Sequence, residues 1–290
     1  MNDPEIQPPS NGSWRRWLAF CSLLGVIGVI GVIGCKRSQD QQPAIPAESS
    51  VPRAVAVAAA ADLKFALDEV IARFHEANPG IIVTPTYGSS GNFYAQLTNR
   101  APYDIYFSAD VDFPRKLAQA GLTVKDSQFD YAIGQIVVWV RNDSPIDVQT
   151  LGIESLTHPS VRKIAIANPE HAPYGRAAEA AMKSLGIQDR VKERLVLGEN
   201  IAQTAQFVEA GAADIGIIAL SLALAPALSD KGRYWAVPLD SYPPLEQAGV
   251  ILSWAKDIEA TQRFKAFVTG TREGDGRAIL KRYGFVLPDK

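Results

Sequence analysis

From residue 54 onward the chain alternates short apolar runs with stretches whose apolar positions recur at helical spacing. Residues 54–60 are continuously apolar and read as a buried strand. Leu63, Leu67, Val70, Ile71 and Phe74 then fall on one helical face, and Asn78-Pro79-Gly80 ends that helix. The unit repeats. Strands are predicted over 81–87, 104–108, 132–140, 163–167, 215–220 and 248–254, with helices over 92–99, 114–121, 176–185 and 201–210 and two more near the C-terminus. Such alternation implies an α/β protein with mostly parallel sheets. The apolar runs 132–140 and 247–254 carry turn residues at a flank and are candidate crossings between two lobes. Lobe one would then be 53–135 plus 246–290 and lobe two 136–245; periodicity alone fits one doubly wound sheet equally well.

The first 53 residues follow a different pattern. Arg15 and Arg16 precede an uncharged apolar run, 17–34, that ends at Cys35. The run sits at about the lower length limit for a membrane-spanning helix, so a span is one reading. The other is a signal peptide over 1–35. Val32-Ile33-Gly34-Cys35 resembles the lipobox of bacterial lipoproteins, where cleavage before the cysteine exposes a thiol that receives lipid. Cys21 lies in the segment that would be removed, so the mature chain would keep only an acylated Cys35 and no disulfide. Residues 36–53, rich in Gln, Ser and Asp and broken by Pro43, Pro46 and Pro52, read as a flexible tether. An exported, membrane-anchored lipoprotein on the periplasmic side of the envelope is the expectation.

Composition excludes more than it selects. With 290 residues, 47% of them hydrophobic, the chain can bury one large core or two modest ones. A net charge of -2 offers no basic field for nucleic acid.

Four strand-to-helix junctions hold small residues or backbone donors: Ala61-Asp62, Gly88-Ser89-Ser90-Gly91-Asn92, Ala172-Pro173-Tyr174-Gly175 and Glu199-Asn200-Ile201. The first N–H groups of a helix have no partner inside it, so such junctions can receive an anion. Taken singly, the second is also an ordinary Gly-Ser turn and the third a plain helix cap. Their common topological place, two in each lobe, favours a shared site. Only Lys64 and Arg176 lie beside them, so the donors are neutral N–H and O–H groups, which suits a carrier that must also release its cargo.

No catalytic constellation accompanies these loops. His75, His158 and His171 lack metal-ligand spacing, and Gly88-Ser89-Ser90-Gly91 is one residue short of a G-x-S-x-G elbow. Asp110 and Asp112 bracket a helix start as caps rather than as a carboxylate pair. His171 reads either as a surface-loop histidine or as an acid or base near the pocket. The expectation is a binding protein with no enzyme activity, no cofactor and no metal cation.

Several stretches together, in order and spacing, resemble the molybdate-binding periplasmic proteins of ABC importers over about residues 54–287. They are Ala59-Ala60-Ala61-Asp62, Tyr87-Gly88-Ser89-Ser90-Gly91, Tyr94-Ala95-Gln96, Ala101-Pro102-Tyr103-Asp104, Phe107-Ser108-Ala109-Asp110, Tyr131-Ala132-Ile133-Gly134, Ile166-Ala167-Asn168-Pro169, Ala172-Pro173-Tyr174-Gly175 and Tyr283-Gly284-Phe285. The resemblance implies a two-lobed periplasmic-binding-protein fold with hinge-connecting strands. It implies a monomer that holds molybdate or tungstate without cofactor and hands it to an ABC permease; another oxyanion, phosphate or sulfate, is the alternative. It places ligand contacts at Ala61, Asp62, Ser89, Ser90, and the backbone N–H groups of Tyr174 and Ile201. Two departures stand out. Ala219 occupies a position where many relatives carry a tyrosine hydroxyl, and Asp62 one where the family usually has Ser or Asn. A carboxylate beside a dianion repels it by about 1 kcal/mol or more even in water. Either Asp62 turns back to cap the helix over 63–78 and offers only its N–H, or it accepts a hydrogen bond from a protonated anion such as hydrogen phosphate.

Overall fold

A computed structural model describes residues 53–270 and 275–288. The expected signal peptide over 1–35, with its lipidation site Cys35, and all but the last residue of the tether lie outside the described residues.

The first sheet begins with β1 (Arg53–Ala60), β2 (Ile81–Gly88), β3 (Ile105–Ser108) and β4 (Phe129–Gly134). The second holds β5 (Ile136–Arg141), β6 (Ile164–Ala167), β7 (Leu195–Gly198), β8 (Ile215–Ala219) and β9 (Gly232–Ala236), after which β10 (Leu245–Ile251) returns to the first. The strand orders are β2-β1-β3-β10-β4 and β7-β6-β8-β5-β9. In each sheet three strands run parallel, and the fourth position is filled by the first strand after a crossing, β10 or β5, paired antiparallel on both sides. The two sheets therefore share one topology although no repeat shows in the sequence.

The run read as one strand over 132–140 is divided at Gln135, with β4 in one sheet and β5 in the other. An apolar pattern continues through a sheet change, because both strands are buried. β7 and β9 had no counterpart among the predicted strands. Both lie on sheet edges, so half-buried residues such as Arg233, Tyr234 and Trp235 replace the continuous apolar signal of a central strand.

Parallel strands need covering helices, and the apolar faces of the sequence supply them. Helix Lys64–Ala77 buries Ala66, Leu67, Val70, Ile71 and Phe74 against the first sheet, then stops at Asn78, whose amide caps the carbonyls of Phe74 and His75. Phe74 meets the rings of Phe264 and Phe267 edge-on, 5.2 and 5.5 Å between centroids. That contact brings the late helix Ile258–Val268 back to the first lobe. Arg53 adds an ion pair to Asp257, the cap of the same helix. The second lobe packs around Trp139, Met182 and the Ile-rich strand β8, all fully buried.

Candidate functional site

Corresponding strands of the two sheets deliver corresponding loops. Ala61 and Asp62 follow β1 and the loop to Tyr174 follows β6; Ser89 and Ser90 follow β2 and Ile201 follows β7. All six residues singled out from the sequence, Ala61, Asp62, Ser89, Ser90, Tyr174 and Ile201, line a single cavity of about 10 Å³ between the lobes. So little room holds about one water, so a larger guest enters only if the lobes part. A wider hollow of about 340 Å³ lies beside it, walled by Asp110, Arg176 and the 243–246 segment.

The capping pattern leaves the amides of Ser90, Tyr174 and Ile201 at the cavity without a side-chain cap. Asn200 accepts from the N–H groups of Ala202 and Gln203, one residue beyond Ile201. Ser89 accepts from Asn92 in the same way, while the helix Pro173–Ser184 has no side-chain cap and Pro173 brings no N–H of its own. The Ser90 hydroxyl accepts from the Ala109 N–H at 2.9 Å, which leaves its own proton to donate. Three helix starts thus aim positive dipole ends at one point. The two nearby cations are engaged elsewhere: Lys64 sits 5.1 Å from the Tyr87 ring and Arg176 pairs with Asp110.

Contacts between the lobes ring the cavity. The Gly91 N–H donates to the His171 carbonyl at 2.9 Å, His171 Nδ1 lies 3.0 Å from Ser89 Oγ, and Asn92 donates to Glu199 at 3.1 Å. His171 is therefore half-buried and joined to the second loop rather than free on the surface. Asp110 caps the amide of Asp112 and also reaches across to Arg176.

Asp62 does not take the helix-capping course expected of it. The turn begins at Ala61 as a 3-10 helix, so Asp62 lies inside it, and no side chain caps either that turn or the helix after it. Its carboxylate instead turns sideways into the interface. Oδ2 accepts from the Tyr174 hydroxyl at 2.9 Å and from Gln247 Nε2 at 2.7 Å, and Gln247 also donates to the Tyr174 oxygen at 3.0 Å. Oδ1 is fully buried with no partner, and so is Oε1 of Gln247. The carboxylate of Asp62 is therefore engaged within the interface rather than in a helix cap. Burial pushes the carboxyl up to about 6, against the opposing hydrogen bonds from Gln247 and Tyr174. Burial and then the charge of Asp62 hold the Tyr174 phenol well above its ordinary range.

Gln247 and Gly134 were not anticipated. A Cβ on Gly134 would stand 2.2 Å from Tyr174 Oη and 2.7 Å from Gln247 Nε2, so glycine is what makes room for the triad. A lone glutamine in the apolar strand β10, buried to 1% exposure, was the available signal. Ala219 is wholly buried and presents no hydroxyl. Among the described residues no three His, Cys, Asp or Glu side chains gather to hold a metal ion.

The model of a family described as bacterial extracellular solute-binding protein matches residues 55–286. The chain is 35% identical to the molybdate-binding protein ModA of Azotobacter vinelandii over 80% of its own length and 90% of that protein. It is 33% identical to the ModA protein of Rhodobacter capsulatus, covering 80% and 88%. The solved structure of the Azotobacter vinelandii periplasmic molybdate-binding protein superposes with a TM-score of 0.73 at 34% identity, over 81% of this chain and all of that one.

Proposed function

The chain belongs to the bacterial extracellular solute-binding protein family, and from that membership we propose that it captures molybdate, or the similarly shaped tungstate, outside the cytoplasm and delivers it to an ABC importer. The observation that carries this reading is the convergence, from both lobes, of uncharged hydroxyls and helix-start amides on one small cavity. Its relatives with printed functions are binding proteins, and the chain's own chemistry agrees with a carrier.

Among small apolar residues the lining offers the Ser90 hydroxyl and the helix-start amides as donors, which suits a dianion that only accepts. Hydrogen phosphate would need an acceptor, and the nearest carboxylate is committed: Asp62 Oδ2 holds two donors and Oδ1 reaches no open space. Half a dozen charge-assisted hydrogen bonds at roughly 1.5–3 kcal/mol each, less ordering and desolvation costs, are enough for the about -8 kcal/mol of micromolar binding.

Residues 1–35 serve as export signal and Cys35 as the lipid attachment site in this reading, with the mature protein a monomer tethered by 36–53. Titration calorimetry of the mature body with molybdate, tungstate, sulfate and phosphate tests the cargo. Micromolar binding of the first two, and binding of the others weaker by about 100-fold or more, is expected. Heat with phosphate or sulfate and none with molybdate would overturn the assignment. Intact-mass analysis of the membrane-bound protein should show a chain beginning at an acylated Cys35, whereas an uncleaved chain that keeps 17–34 would mean that this run is itself the anchor.

A further inference from the structure

We propose that Asp62 binds a proton as the lobes close, so that the oxyanion and one proton are taken up together. This rests on the oxyanion-carrier reading above. The geometry that carries it is a shortage of hydrogens. Tyr174 brings one polar side-chain hydrogen and Gln247 two, and the three bonds Tyr174 to Asp62, Gln247 to Asp62 and Gln247 to Tyr174 use them all. Two acceptors remain, Asp62 Oδ1 and Gln247 Oε1, each sealed from solvent with no hydrogen-bond partner, while the backbone amides of Asp62 and Leu63 lie near enough to favour the charged carboxylate. A proton on the carboxyl removes the buried charge and converts one orphaned acceptor into a donor.

The surroundings supply no alternative counter-charge. Tyr174 faces the carboxyl from the second lobe and Gln247 from β10. Tyr131 faces it from β4 with its hydroxyl on the Ser108 carbonyl, and Ser221, on the helix Leu220–Ala223, donates to the backbone oxygen of Asp62 at 2.8 Å. Lys64, on the residue's own segment, turns to Asp68 and Tyr87. Among the described residues no cation pairs with Asp62.

The site is assembled only by closure. Asp62 and Gln247 belong to the first lobe and Tyr174 to the second, so parting the lobes takes away one donor and admits water. The open carboxyl then ionises in the ordinary range, whereas the closed one, in a buried setting, holds its proton up to about pH 6. A bound dianion raises that value further. The sign follows: closed-state proton affinity exceeds open-state affinity, so anion binding is strongest at low pH and weakens as pH rises through the closed-state value. Asp62 thereby stands behind a dianion as a neutral acid, which explains how an acidic residue is tolerated there.

The test is calorimetry of molybdate binding at pH values where the anion stays doubly deprotonated, in two buffers of different ionisation heat. Wild type should bind about tenfold or more tightly at pH ~5 than at pH ~8, and take up about half a proton or more near pH ~6. Asp62→Asn should bind more tightly than wild type at pH ~8 with a flat profile and no uptake. If that variant does not fold, Tyr174→Phe, which keeps its amide but loses the donor that favours the charged carboxylate, should shift the wild-type profile to higher pH. Equal wild-type affinity at both pH values with no proton uptake overturns the coupling, as does a slope that persists in Asp62→Asn, which would assign it to another group such as His171. No heat at any pH with either molybdate or tungstate overturns the carrier reading itself.

Discussion

Gly91 lies where the second loop of the first lobe touches the His171 segment of the second, and exchanging it for alanine separates closing from folding. An added Cβ would stand 2.6 Å from the His171 carbonyl oxygen and 2.9 Å from its Cα. The same oxygen accepts from the Gly91 N–H at 2.9 Å. Losing that bond costs about 1 kcal/mol, and overpacking against backbone costs roughly 1–3 kcal/mol more. A total of about 2–4 kcal/mol weakens anion binding about 30- to 1000-fold. The penalty falls on the closed form only, since parting the lobes removes His171 from the neighbourhood. Within the helix Ser90–Thr98, alanine in place of glycine instead stabilises by up to about 1 kcal/mol. Calorimetry and thermal melting of Gly91→Ala should therefore show a large rise in Kd, an unligated Tm equal to or slightly above wild type, and a reduced ligand-induced Tm shift. A Kd within about threefold of wild type would refute the closure geometry.

Other positions isolate the remaining parts of the site. Ser90→Ala removes the donor hydroxyl and strands the buried Ala109 N–H, and should cost about 10- to 100-fold in affinity by calorimetry. Gly134→Ala drives a methyl into the Tyr174 hydroxyl and Gln247 amide and should destabilise the body by about 1–3 kcal/mol, read as a fall in Tm. Because the donors Ser90, Tyr174 and Ile201 are uncharged and buried, raising salt from ~0.05 to ~0.5 M should change Kd by less than about threefold; a steep salt dependence measured by the same titration would point to exposed cations instead.

The loops were legible because their chemistry is local. A Gly-Ser run, a proline at a helix start and an asparagine before an apolar helix each state their backbone geometry within a few residues, and the structure places all of them round one cavity. The helices were legible for the same reason, as at Leu67, Val70 and Phe74. What stayed hidden depends on residues far apart in the chain. Asp62 lies 185 positions from Gln247 and 112 from Tyr174, so its direction could not be read from its neighbours, and the helix-cap expectation failed once the turn began at Ala61 and took Asp62 inside it. The sheet change at Gln135 and the edge strand β9 were hidden because burial, not register, shapes the local pattern.

A crystal of the protein grown with tungstate, with the metal located by its anomalous scattering, tests the central claim most directly. A single tungsten peak between the lobes is predicted, its oxygens within hydrogen-bond distance of the Ser90 hydroxyl and of the Tyr174 and Ile201 amides, with the Asp62 carboxyl turned away. Tungsten in the outer hollow beside Arg176, or contacts from one lobe only, would contradict it.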